Sequence, residues 1–164
     1  MSLFNRRETL RLLALPLLAS CGFAPIYGNG TPARALLGDI ALGDVIDRMG
    51  FELREELELR LGKAVAPKYL LDVRIDVESE GLAITQDASI TRFNLTAIAN
   101  FKLTPTGGGD AVLVDQVRSF TAYSATASPY ASRVAEIDAR RRLAVTLADQ
   151  IALRIAAKAK GLPA

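Results

Sequence analysis

The chain has no histidine and one cysteine, Cys21. The first absence removes the commonest general base and the commonest metal ligand. The second rules out a disulfide framework, even for an exported protein. A domain so short of nucleophiles and bases is a poor vehicle for most hydrolytic chemistry, and no metal cluster or cofactor motif stands out. Long apolar runs are also missing. The longest, residues 9–20, falls short of the ~20 residues a membrane span needs and contains Pro16, which sits badly in a helix. Charge of one sign is lacking too. The full chain carries +2, but Arg6, Arg7 and Arg11 against Glu8 account for it, leaving 17 basic and 17 acidic side chains from Cys21 onward. A nucleic-acid binder normally shows a basic stripe or a pI above about 9, so no nucleic-acid partner is expected. Gly107-Gly108-Gly109 is not a phosphate loop, because neither Lys nor Ser/Thr follows and no helix opens there. There is no internal repeat and no low-complexity tract.

What is present begins at the N-terminus. Arg6-Arg7, an apolar stretch and Leu18-Ala19-Ser20-Cys21 have the layout of an export signal. Its cut site is a lipobox: a branched residue, two small ones, then the cysteine that takes a diacylglyceryl group. Residues 1–20 are therefore expected to be a lipoprotein signal peptide and Cys21 the lipidated first residue. An uncleaved anchor or a buried segment is the alternative. Two arginines in such a region are common and do not fix the export route. One acyl chain holds weakly and two or more hold stably, so the domain should hang from a leaflet by its N-terminus, facing the periplasm.

Residues 21–35 read as a lipidated tether, since Gly22, Pro25, Gly28, Gly30 and Pro32 are too dense for a helix or a central strand. Phe23, Ile26 and Tyr27 are the apolar residues in it, packed on the domain edge or touching lipid or a partner. Residues 36–164 read as one domain, within the usual size range. Residues 36–42 make a short strand. Asp44 is the expected N-cap of a helix to about Leu61, with Ile46, Met49, Leu53, Leu57 and Leu61 on its apolar face and Gly62 as its stop. The acidic run Glu55-Glu56-Glu58 is a solvated face. Alternation over residues 69–77 and 93–103 marks half-buried antiparallel strands. A loop at residues 105–110 leads to a third long strand, residues 111–123, whose parity slips near Asp115-Gln116 and predicts a bulge. Ser128-Pro129 opens a last helix reaching about Lys160, with Tyr130, Val134, Ile137, Ala144, Ala148, Ile151 and Ile155 in one stripe. Glu136 with Arg140 and Asp138 with Arg142 are expected i,i+4 pairs. The order β-α-β-β-β-α gives an α+β fold: a two-layer sandwich, two helices packed on one face of a four-stranded, mostly antiparallel sheet. The other sheet face stays wet.

Two polar features stand out. Arg141 falls inside the apolar stripe of the last helix, either snorkelling to its edge or aimed at a carboxylate or an anionic ligand. Arg74, Arg92 and Lys102 share the polar strand faces. They are either a solvated surface or, if the strands bring them together, a phosphate-binding cluster for an acidic glycolipid. Asp72 and Asp76 lie on one strand face, where solvated surface far outweighs acid–base work.

The sequence Cys21-Gly22-Phe23-Ala24-Pro25-Ile26-Tyr27-Gly28 resembles the mature start of LptE, the LPS-assembly lipoprotein family, in its alphaproteobacterial form. Arg48-Met49-Gly50-Phe51-Glu52-Leu53-Arg54, Thr91-Arg92-Phe93-Asn94-Leu95, Ser128-Pro129-Tyr130-Ala131 and then Asp138-Ala139 match the same family in order and spacing. The resemblance implies a four-stranded sheet with two helices and no enzymatic role. It also implies an outer-membrane lipoprotein facing the periplasm, which plugs and assembles the LPS-translocating barrel LptD and contacts lipopolysaccharide on its way to the outer leaflet. Gly22 after the cysteine is similar to lipoproteins sorted to the outer membrane. Arg74, Arg92, Lys102 and Arg141 as lipopolysaccharide ligands come from residue type and not from the family. Two other classes stay open: an auxiliary lipoprotein of a lipid-trafficking ABC transporter, and a small periplasmic enzyme on cell-wall polymer using a carboxylate pair.

Overall fold

The computed structural model describes residues 25–84, 90–126 and 128–162. The signal peptide, Cys21 and Phe23 lie outside the described residues. In chain order the elements are α1 (Pro32–Ala35), β1 (Ile40–Leu42), α2 (Arg48–Leu61), β2 (Tyr69–Ile84), β3 (Ile90–Pro105), β4 (Leu113–Ser124) and α3 (Pro129–Lys158), closed by a 3-10 turn at Ala159–Gly161. The sheet order is β1-β2-β3-β4, with β1 parallel to β2 and the other pairs antiparallel.

The alternating strands dictate the layers. The odd positions of β3 (Leu95, Ala97, Ala99, Phe101, Leu103) are buried, as are Tyr69 and Leu71 of β2 and Val117 of β4. They meet Met49, Leu53, Leu57 and Leu61 of α2 and Leu143, Leu147, Ile151 and Ile155 of α3 in one core. The 30 residues of α3 span about 45 Å at ~1.5 Å per residue. The 16 residues of β3 span about 53 Å at ~3.3 Å. One helix can therefore run most of the length of the sheet. Arg60 ties the two long helices together, its Nε 2.5 Å from Asp149 Oδ1 and its Nη1 2.6 Å from Glu56 Oε2.

Several expectations need correction. The N-cap of α2 is Asp47, whose Oδ1 accepts from Gly50 N–H at 2.7 Å. Asp44 lies three residues too early because the chain must first leave β1 and turn. Ile46 sits before the helix and is 99% exposed. Tyr130 and Val134, at the start of α3, are exposed as well. The tether contains a helical turn after all: Pro32 occupies its first position and Thr31 caps it, an arrangement that suits proline's fixed φ. Ala33 of that turn is buried against Ala156 and Ala159, with Tyr27 and Leu36 packed beside them. The β3–β4 register runs unbroken through Asp115 and Gln116, so no bulge lies there. The apparent slip arises because Val114 and Phe120 are apolar but point outward, while Asp115 and Ser119 are polar on the inward parity. The register shifts occur instead in β2, around Gly81 and Ala83. The Ser128 cap, the Gly62 stop (φ +81) and both predicted ion pairs on α3 are present.

Candidate functional site

The open face of the sheet presents the even positions. Cross-strand rows follow from the register: Asp72–Lys102–Val114, Arg74–Asn100–Gln116 and Asp76–Ile98–Arg118. The first two rows floor a cleft of about 1000 Å³, which residues 44–47 border after β1. Gly43 permits that border, because a Cβ there would come within 2.4 Å of Asp72 Oδ1.

Lys102 Nζ lies 3.4 Å from Asp72 Oδ2. Arg74 is exposed and forms no ion pair among the described residues. It is the diagonal neighbour of Lys102, at a spacing of about 7–8 Å. Two cations and two side-chain amides, Asn100 and Gln116, thus share one cleft with four carboxylates, Asp44, Asp47, Asp72 and Asp115. Such a surface can hold a phosphorylated sugar: the cations face phosphate, and the amides and carboxylates serve hydroxyls.

The four cations expected as ligands do not come together. Arg92 pairs with Ser124 on one side and Ala83 on the other. It is ten residue steps from Lys102, or about 33 Å along β3. Arg141 is exposed on α3 rather than set in its buried stripe, which takes Leu143 and Ala144 instead. Residue type alone did not reveal Asp72 as the partner of Lys102, nor the amides that frame Arg74. Counting register back from a turn is the only sequence signal for them. Among the described residues, no group of acidic or thiol side chains is arranged to hold a metal ion. No described helix is long and apolar enough to cross a membrane.

A helix-backed sheet with one apolar face and one open, largely polar face defines a two-layer domain of the α+β class. The chain belongs to the lipopolysaccharide-assembly family LptE, whose model matches residues 37–155. Among curated relatives, an uncharacterized protein of Rickettsia prowazekii is 22% identical over 139 residues, covering 85% of this chain and 88% of the relative. Among solved structures, a candidate lipoprotein from Caulobacter crescentus has a TM-score of 0.67 at 22% identity, covering 79% of this chain and 97% of that one. Rare lipoprotein B from Shewanella oneidensis has a TM-score of 0.58 at 16% identity, covering 75% and 96%. A minor lipoprotein from Acinetobacter baumannii has a TM-score of 0.55 at 18% identity, covering 73% and 89%. At these identities the likenesses establish the fold: a mostly antiparallel four-stranded open sheet with helices packed on it.

Proposed function

We propose that the protein is an outer-membrane lipoprotein, anchored through acylated Cys21 and facing the periplasm, that lodges in the LPS-translocating barrel LptD and contacts lipopolysaccharide during its delivery. The family match across residues 37–155 carries this reading. The hydrophilic open face supports it, since a plug must meet the polar lumen of a barrel. No catalytic step is part of the role. Arg74 and Lys102, on the floor of the outer cleft, are the proposed partners of lipid-borne phosphate. Arg92 and Arg141 would each have to act alone, elsewhere on the surface.

The test is gentle detergent extraction and purification on a C-terminal tag, with Cys21→Ala as control. Recovery of a large, heat-modifiable barrel protein near 1:1, reduced by loss of the anchor, is the expected result. Recovery of transporter subunits, or of this protein alone, would overturn the assignment.

A further inference from the structure

We infer that the free edge of β4 is a strand-docking site, which accepts an extended segment of a partner protein that carries an acidic residue flanked by apolar ones. The edge is open over a defined window. Ala125 N–H, just past β4, donates inward to the Thr91 carbonyl, one step on from the Arg92–Ser124 pair, whereas Val112, before the strand begins, reaches Leu103 out of that register. Odd positions of β4 therefore pair with β3, and even positions turn their backbone groups outward.

Two outward groups are already occupied. Gln116 N–H donates to Asp115 Oδ1 at 2.8 Å, and Arg142 Nη2 donates to the Ala122 carbonyl at 3.2 Å. Between these two stops, the outward groups of Arg118 and Phe120 have no partner among the described residues. Edges left unpaired are normally blunted along their length; here the blunting brackets a gap. Beside the gap runs a groove of about 660 Å³ between β4 and α3, with Gln150, Leu153 and Arg154 on the helix side.

The surroundings define the occupant. Arg154 and Arg142 already hold Asp115 and Asp138, whereas Arg118 has no carboxylate among the described residues. An incoming strand gains by placing an acid opposite Arg118. Phe120 and Leu153 are 76% and 53% exposed, so the positions beside the acid should be apolar. Main-chain hydrogen bonds would supply affinity and these alternate side chains specificity, as in other strand additions.

The probe is the peptide Thr-Tyr-Val-Glu-Val-Thr, added to the full-length protein in detergent, with a scrambled peptide as control. Its antiparallel register sets Glu opposite Arg118 and Tyr opposite Phe120. The expected result is amide exchange at Arg118 and Phe120 slowed at least fivefold by the probe alone. Phe120→Pro, which removes an outward N–H from an edge strand, should raise its Kd at least tenfold. Arg118→Glu should weaken the Glu peptide and favour its Lys counterpart, a charge swap that decides the matter if the proline variant fails to fold. Equal binding of probe and scramble, or affinity unchanged in both variants, overturns the inference. So does concentration-dependent self-association through the same amides, which would seat a second copy of this chain there.

Discussion

Asp47 and Gly62 hold the two ends of α2, and each acts through one backbone relation. Asp47 satisfies the Gly50 N–H that the helix leaves orphaned. Asp47→Ala should cost about 1 kcal/mol in urea unfolding, while Asp44→Ala should change stability by less than about half of that. An equal loss at both positions would refute the cap assignment. Gly50→Ala, ordinarily favourable in a helix, should fail to stabilise here, because its Cβ would lie 2.9 Å from the capping Oδ1 and 3.2 Å from Val45 Cβ. Gly62 has φ +81, in the left-handed region where a side chain is strained. In the core, Leu147 is completely buried. Leu147→Ala should cost about 2–5 kcal/mol, read as a lower urea midpoint at unchanged slope.

Among the elements, α1 and the segment before it show how a stretch rich in glycine and proline still finds a place. Tyr27 is half-buried, and its hydroxyl donates toward the Ala152 carbonyl of α3 at 3.5 Å. Burial raises the Tyr27 phenol above its ordinary value of about 10. The neutral form is the one that docks, so the contribution of Tyr27 is intact below pH ~10 and is lost as pH rises through the raised folded value. Limited proteolysis of the segment before β1 should therefore accelerate in strong alkali for the parent protein and much less for Tyr27→Phe. Tyr123 is raised as well, by burial first and then Glu136, against Arg140, and it remains in both proteins as an internal control. An identical alkaline response in the two would assign the loosening elsewhere. The same region shows what sequence can and cannot convey. Alternation in β2 and β3 and the Ser128-Pro129 start of α3 were legible, because a two-residue or 3.6-residue period is a local property. The helical turn at Pro32–Ala35 was not, since Ala33 is held by Ala156 and Ala159, more than 120 positions away. The unbroken register of β4 was hidden for a related reason: Asp115 takes an inward-parity position where Arg154 of α3 lies 3.5 Å from it and its Oδ1 accepts from Gln116 N–H. The candidate site was legible as residue types on a polar face, but not as neighbours. Ten steps along the one strand β3 separate Arg92 from Lys102, and only the strand register seats Lys102 beside Asp72.

Across the whole molecule, charge is balanced: residues 21–164 carry 17 basic and 17 acidic side chains. A balanced chain exerts little long-range pull on an anionic lipid, so recognition must depend on local pairs and on salt. Arg74 and Lys102 are both exposed, which limits each contact with a phosphate to about 1 kcal/mol. Replacing both, Arg74→Gln with Lys102→Gln, should raise the Kd for lipopolysaccharide micelles roughly 30-fold at low salt. High salt should shrink that difference, because exposed pairs are screened within a Debye length of about 10 Å at 0.1 M. Arg92→Gln and Arg141→Gln, each remote from the cleft, should change it by less than about threefold. Freeing Asp72 by the Lys102 change alone leaves a carboxylate without its cation beside the proposed phosphate position. That single variant should therefore bind more weakly than Arg74→Gln, and Asp72→Asn in the same chain should recover part of the loss. An undiminished affinity in the double variant, or a dominant effect at Arg92, would move the headgroup site off the cleft and toward the far end of the sheet.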